Sequence, residues 1–226
     1  MTTLIVIAGG ILTGITIGLF SLIGINIEEF YFKNIVVFGL PAAPIFGTYL
    51  TQTNPQLVGK VSPVIARIFT PLVLVMLVIY LAAIIYSGKD PYNDREFLFI
   101  FNALLIGVMA LIFFSIAENS RTVKTRQEIW VLLLLSVVTI IINSFALSAI
   151  LFRIAEWGIS PNRAAVLGSN ILILVNLLLI TVQLFKVIMN KGDITGVRNV
   201  ISVYLPVYTI WAAVVTFLFP FLFAFS

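Results

Sequence analysis

The chain of 226 residues contains no cysteine and no histidine. Their absence excludes cysteine nucleophiles, thiolate or imidazole metal sites, axial haem histidines and the Ser-His-Asp triad. Charge is scarce as well, since charged residues make up 10% of the sequence against about a quarter in a soluble domain. We therefore expect no catalytic activity, no metal and no other cofactor.

Long uncharged stretches fill most of the sequence, and the first charged side chain is Glu28. A charge at the centre of a bilayer costs on the order of 3 kcal/mol, so an uncharged stretch of about twenty residues indicates a membrane span. The fold class predicted is an all-α integral membrane protein, one domain formed by a bundle of seven transmembrane helices. The predicted spans are 3–25, 34–51, 64–86, 97–117, 129–152, 161–188 and 200–224.

Two features of these spans leave alternatives open. The second span is short and contains Pro41 and Pro44, so a kinked or partly re-entrant segment is an alternative to a full crossing. The chain stops at FLFPFLFAFS without a polar tail, so it either ends at the membrane or is part of a longer membrane protein.

The distribution of basic residues predicts the orientation. The first, third and fifth connections carry 5 Lys and Arg, and the second, fourth and sixth, with their flanks, carry 8. The richer set faces the cytoplasm by the positive-inside rule, which places the N-terminus inside and the C-terminus outside. The net charge of +4 indicates contact with anionic membrane lipid and not with nucleic acid, because no basic run is interleaved with aromatic residues.

Polar residues recur every seven positions in the sixth span. They are Asn162, Ser169, Asn176, Gln183 and Asn190, and Asn170 lies beside them. A seven-residue repeat drifts by only about 20° per heptad on a helix, so these side chains form one polar edge. Amides in hydrocarbon need partners, so the edge either bonds to neighbouring helices or lines a polar path or pocket.

The fifth span carries a matching polar face. Ser136, Thr139, Asn143 and Arg153 fit steps of three and four residues, with Ala146 and Ile150 in between. The connection to the sixth span is short, so the two helices are predicted to be antiparallel neighbours. We expect Asn143 to meet Asn176 near the middle of the membrane.

The connection between these spans has the marks of a capped helical hairpin. Gly158 is a candidate αL stop, Ser160 an N-cap and Pro161 a first-turn proline, while Trp157 is a candidate interfacial anchor. These residues predict that the sixth span begins at Pro161.

Three charged residues flank the same connection. Arg153 and Glu156 are spaced for an ion pair on one helix, and Arg163 lies in the first turn of the next, where a cation is unfavourable. We expect Glu156 to compensate Arg163. An anion or lipid-headgroup site formed by Arg153 and Arg163 is the alternative.

A run of small residues marks the first span, where Gly10, Gly14 and Gly18 are four residues apart. Glycines at this spacing let helix backbones approach closely. The run predicts packing against a neighbouring helix or against a second copy of the chain.

The segment RIAEWGISPNRAAVLGSNILILVNLLLI resembles a bacterial multi-pass membrane family catalogued as domain-of-unknown-function family number 4153, and the resemblance extends over residues 60–226. Members carry an Arg-x-x-(Glu)-aromatic/Gly-x-(Thr/Ser)-Pro-x-Arg segment before an Asn-rich helix. The matching residues here are Arg153, Glu156, Trp157, Gly158, Ser160, Pro161, Arg163, Asn170 and Asn176. The resemblance implies a bacterial inner-membrane protein and brings no established activity.

Three functions are compatible with this sequence. The favoured one is a non-catalytic membrane module, acting as a sensor, a scaffold or a subunit of a complex with a second copy or another membrane protein. The alternative is a transporter-like or channel-like protein with a polar path between spans five and six. An intramembrane enzyme acting on lipid would depend on interfacial carboxylates and is the least favoured.

Overall fold

The structure, a computed structural model, describes residues 1–53, 61–87, 95–117 and 125–223. The described residues form helices and no strands, and seven of the helices are long and apolar enough to cross a membrane. We name them α1 to α7 in chain order: α1 Thr2–Leu22, α2 from Glu28 to Thr53, α3 Val61–Ser87, α4 Arg95–Ala117, α5 Arg126–Trp157, α6 Pro161–Ile188 and α7 from Ile194 to Leu222. The predicted seven-helix, all-α membrane architecture is confirmed.

Two of the helices contain a π-helical turn. In α2 the segments are Glu28–Tyr31, the π turn Phe32–Val36 and Val37–Thr53, and in α7 they are Ile194–Ala213, the π turn Val214–Leu218 and Phe219–Leu222. Pro41 and Pro44 both lie inside the Val37–Thr53 segment, so the backbone remains helical through both prolines.

Local capping explains where the helix ends differ from the predicted ones. The first helix stops at Leu22 and not at residue 25, because Gly24 has φ 73° and the Ile25 N–H bonds back to the carbonyl of Phe20 at 2.9 Å. This is a Schellman motif, which glycine forms without strain. The last helix starts at Ile194 and not at residue 200, because Asp193 caps it by accepting from the N–H of Gly196 at 3.2 Å.

The chain divides into two compact units, Met1–Glu118 and Asn119–Ser226. The boundary falls in the polar connection between the fourth and fifth predicted spans. The predicted single transmembrane domain stays a prediction. The first unit contains α1 to α4 and the second contains α5 to α7.

An aromatic cluster forms part of the core of the first unit. The Tyr80 ring of α3 lies 5.6 Å from the Phe20 ring of α1 and 6.0 Å from the Phe101 ring of α4, both edge to face. Offset and edge-to-face aromatic pairs add about 0.5–1.5 kcal/mol beyond the burial of their area. The cluster thus joins three helices of this unit at one point.

The second unit is a three-helix arrangement based on the α5–α6 pair. Seven of the buried positions of α5 follow alternating steps of three and four residues, as in coiled-coil packing: Leu132, Leu135, Thr139, Ile142, Ala146, Ala149 and Arg153. Leu133, Ser136, Asn143 and Ile150 are buried beside them. The matching positions of α6 are Asn170, Ile173, Leu177, Ile180, Leu184 and Ile188. Most of the polar residues singled out in the sequence lie in this unit.

Candidate functional site: the polar interior of the second unit

The connection between α5 and α6 is a capped hairpin, as predicted. Helix α5 ends at Gly158, and α6 begins at Pro161 after Ser160, whose side-chain oxygen accepts from the backbone N–H of Arg163 at 3.4 Å. Gly158 differs from the expected αL geometry, since its φ of 75° is combined with an extended ψ of 175°. That region of backbone space is open almost only to glycine.

Arg163 is compensated by the end of α5 and not by Glu156. Its Nη1 atom donates to the carbonyls of Trp157 at 3.0 Å and Gly158 at 2.7 Å, and the guanidinium lies 5.6 Å from the centre of the Trp157 ring. A cation at the C-terminal end of a helix is stabilised by the helix dipole and by its free carbonyls. The unfavourable position of the Arg163 charge at the N-terminal end of α6 is therefore offset by its favourable position at the C-terminal end of α5.

The other two charged residues of this region differ in exposure. Glu156 is exposed and has no ion-pair partner among the residues that the structure describes, so the expected pair with Arg153 is not formed. Arg153 lies on the buried face of α5 with 6% of its surface exposed. The alternative anion or headgroup site formed by Arg153 and Arg163 stays a prediction.

One interhelical hydrogen bond joins the middle of α5 to α6. The side-chain Nδ2 of Asn143 donates to the backbone carbonyl of Asn170 at 3.0 Å, and both residues are 0% exposed. The expected contact between Asn143 and Asn176 is wrong, because Asn176 lies on a different face of α6 and bonds elsewhere.

The heptad edge of α6 faces α7. Ser169 Oγ accepts from the Trp211 indole Nε1 at 3.0 Å, and the Asn176 amide donates to the Tyr208 hydroxyl at 3.0 Å. Gln183 approaches Gly196 near the start of α7, since its Oε1 lies 3.1 Å from where a β-carbon at Gly196 would stand. The predicted polar edge thus packs on one neighbouring helix, but that helix is the seventh and not the fifth.

The two ends of the heptad pattern do not belong to this contact. Asn162 is exposed in the first turn of α6. Asn190 lies beyond the helix with φ 56°, and the Lys191 N–H bonds to the Lys186 carbonyl at 2.9 Å. Asn190 therefore terminates α6 as the left-handed residue of a Schellman motif, a role in which asparagine can replace glycine.

Several contact residues of this unit were missed in the sequence. Tyr208 and Trp211 are three residues apart on α7, and both present a polar atom to α6. The Trp211 ring packs directly over Gly168, where a β-carbon would overlap the indole. Aromatic residues with polar tips at helical spacing, together with a glycine on the partner helix, are the signal that predicts such a contact.

A second polar contact joins α5 and α6 further along the pair. Thr181 Oγ1 lies 3.0 Å from Ser136 Oγ and 2.7 Å from the carbonyl of Leu177 in its own helix. Its single proton serves one of these acceptors at a time. Thr181 was not singled out in the sequence, although it follows the steps of Asn170 and Leu177.

Four amide atoms in this interior have no hydrogen-bond partner among the described residues: Asn143 Oδ1, Asn170 Oδ1, Asn170 Nδ2 and Asn176 Oδ1. A buried polar group left unpaired costs about 1–3 kcal/mol. The amides are thus both the interhelical connections of the unit and its least satisfied groups.

The glycine run of α1 is divided between two environments. Gly18 packs against Ile100 of α4, with 3.0 Å between the nearest side-chain atom and the position of a β-carbon. Gly10 and Gly14 are exposed, and nothing lies within 4 Å of the β-carbon position of either. The run therefore contributes to packing inside the first unit at one end only.

The chemistry available to these residues is hydrogen bonding. Within the described part of the chain no three residues of the types His, Cys, Asp and Glu come close enough to hold a metal ion. The buried polar side chains of the described residues are amides, hydroxyls and the guanidinium of Arg153. Comparison of the chain with protein-family models, with curated proteins and with solved structures finds no match.

Proposed function

We propose that the protein is a non-catalytic multi-pass membrane module that acts as a sensor, a scaffold or a subunit of a membrane complex. The observation that carries this proposal is the use of the polar side chains in the second unit. Asn143, Ser169 and Asn176 hydrogen-bond to neighbouring helices inside the unit, and the two asparagines are fully buried. Side chains used in this way stabilise a helix bundle.

The partner contact of the module is assigned to the open glycines of α1. Gly10 and Gly14 have free space at their β-carbon positions, and their spacing suits close approach of a second helix. The occupant is a second copy of this chain or another membrane protein, and membrane lipid covers the remaining apolar surface.

The absence of native cysteine makes a crosslinking test free of background. We would introduce Gly14→Cys, oxidise the protein in native membranes and measure the fraction that runs as a disulfide-linked species. Ile79→Cys on α3, which is exposed in the same unit, is the matched control. The proposal expects a crosslinked species of defined mass for Gly14→Cys and none for Ile79→Cys.

A transporter or channel is the alternative function, and the unpaired amide atoms near Asn143 and Asn170 favour it. Proteoliposomes loaded with a pH-sensitive dye, with and without a potassium gradient, would be compared with protein-free liposomes. The proposal expects no added proton or potassium flux. A flux that disappears in Asn176→Leu would overturn it in favour of transport.

We also propose a bacterial inner-membrane location with a cytoplasmic N-terminus, together with membership of the family that the hairpin segment resembles. Support comes from the basic residues of the even connections and from the capped Ser160–Pro161 turn. Single cysteines at Ile159 and Lys191 test the orientation. A membrane-impermeant maleimide should label Ile159→Cys in intact cells and label Lys191→Cys only after permeabilisation, and the opposite pattern would invert the topology.

A further inference from the structure

We propose that Asn143 and Asn170 form a binding site for a water molecule inside the α5–α6 hairpin. Both side chains are 0% exposed, and the only hydrogen bond between them within the described structure runs from Asn143 Nδ2 to the Asn170 backbone. The Asn170 amide has no partner at either of its polar atoms, and Asn143 Oδ1 also lacks one. This inference is independent of the partner contact on α1 and of any transport activity.

The number of unpaired groups does not depend on how the Asn170 amide is oriented. Two asparagine side chains supply two carbonyl oxygens and two NH₂ groups, and one N–H is used by the Asn170 backbone. Exchanging the oxygen and nitrogen of Asn170 leaves the same groups unpaired. The two buried side chains therefore keep both acceptors and donors for a ligand.

The neighbouring side chains do not satisfy these groups. On the same buried faces Ile142, Ala146 and Ile173 have no polar side-chain atoms, and the Thr139 hydroxyl donates to the carbonyl of Leu135 at 2.6 Å. The short side chain of Ala146, nearly one turn beyond Asn143, brings little bulk to this part of the contact. A ligand that pairs with both amides must therefore bring its own donors and acceptors.

The chemistry of the pair selects a small neutral ligand. Water donates two hydrogen bonds and accepts two, and buried waters make about three bonds to otherwise unsatisfied groups. A metal cation would face the NH₂ groups and an anion would face the carbonyl oxygens, and neither would find an opposite charge on Asn143 or Asn170.

Water-edited solid-state NMR of the wild-type protein in lipid tests the site directly. The experiment measures transfer of magnetisation from water protons to the side-chain amides of ¹³C,¹⁵N-asparagine, whose carbons connect each side-chain amide to its own backbone nitrogen. Ser169–Asn170 is the only Ser-Asn pair in the sequence and Pro161–Asn162 the only Pro-Asn pair, so carbonyl-labelled serine or proline identifies each backbone nitrogen. We expect early transfer to the Asn170 side-chain amide, with exposed Asn162 as positive control. The backbone of buried Leu177, observed in a second sample labelled with ¹⁵N-leucine, is the negative control.

The stability of Asn170→Leu supplies a second readout. A water that bridges the two amides would be lost in this variant and would leave Asn143 Oδ1 unpaired, so the unfolding midpoint in detergent should fall. Asn162→Leu, the same substitution at an exposed position, should leave the midpoint unchanged.

Two results would overturn the proposal. The first is no transfer to Asn170 while Asn162 shows it, which would mean a dry pair or a direct amide–amide bond. The second is an unchanged or raised midpoint for Asn170→Leu, which would mean that the amide was unpaired. The NMR measurement uses the wild-type chain, so it decides the matter even where the variant does not fold.

Discussion

Replacing Gly168 by alanine should separate α6 from α7. A β-carbon at this position would overlap three atoms of the Trp211 indole ring, so one helix has to move or the ring has to leave its rotamer. Either change weakens the bonds from Trp211 Nε1 to Ser169 Oγ at 3.0 Å and to the Ala165 carbonyl at 3.3 Å. We expect α7 to lose its main polar attachment to the first half of α6.

The size of the effect follows from three contributions. Overpacking by one carbon costs about 1–3 kcal/mol. Loss of the indole hydrogen bond, one N–H shared between two acceptors, adds about 1 kcal/mol. The higher helix propensity of alanine stabilises the variant by about 1 kcal/mol. The second unit should therefore be less stable by about 1–3 kcal/mol in Gly168→Ala.

Tryptophan fluorescence is the suitable assay for this variant. The three tryptophans, Trp130, Trp157 and Trp211, all lie in the second unit, so their emission reports on that unit alone. Unfolding would be followed against the mole fraction of SDS in mixed micelles. Gly192→Ala is the control in the same unit, since a β-carbon there would make only an ordinary contact of 3.4 Å with the Lys186 Cβ.

A double variant separates the proposed clash from a general effect of the substitution. Trp211→Leu removes the ring, so Gly168→Ala should cost little in that background, and the two changes should be non-additive. Wild-type stability of Gly168→Ala, or full additivity with Trp211→Leu, would refute the close contact between α6 and α7.

Three further substitutions probe the polar contacts of the second unit by the same unfolding assay. Tyr208→Phe should lower stability by about 0.5–1.5 kcal/mol because it removes the bond to Asn176, whereas Tyr204→Phe should have no effect; equal losses would contradict the assigned bond. Arg163→Gln should lower the stability by about 1–2 kcal/mol, because it removes the bonds to the two carbonyls and the contact with the ring at the end of α5. Arg163→Lys should recover only part of this lost stability. Ser160→Ala should cost about 1 kcal/mol as a lost N-cap, and no change would mean that Pro161 alone starts the helix.

Much of the fold could be predicted because the hydropathy of a segment directly indicates whether it can cross a membrane. A helix that meets lipid must be apolar over about twenty residues, so the seven helices were visible in the sequence. The start of α6 at Pro161 was predicted to the residue, because Ser160 and Pro161 act locally. The early start of α2 at Glu28 was missed, because its first residues are charged and hydropathy alone assigns them to a loop.

The candidate site was predicted in its residues but not in its pairings. A seven-residue repeat identifies one face of a helix, yet it does not say which neighbour that face meets. Asn170 and Ser169 are consecutive, and a single step of 100° turns one toward α5 and the other toward α7. The face of α6 that contacts α5 contains Ile173, Leu177 and Leu184. These residues are apolar like the lipid-facing residues around them, so the sequence does not distinguish the two faces.

The two polar faces of α6 indicate that the amides fix the orientation of this helix between its neighbours. Apolar side chains have similar free energies in lipid and in a helix contact. Packing of leucines alone therefore leaves the rotation of α6 about its axis weakly specified. Asn143 fixes one face of α6 against α5, while Trp211 and Tyr208 fix the adjacent face against α7. Rotating α6 by one residue would take Ser169 away from Trp211 and Asn176 away from Tyr208, so these hydrogen bonds would be lost. We infer that the asparagines set the register of the three-helix unit. Their incomplete pairing is compatible with this role, because the register depends only on the other rotations of α6 being less stable than the observed one.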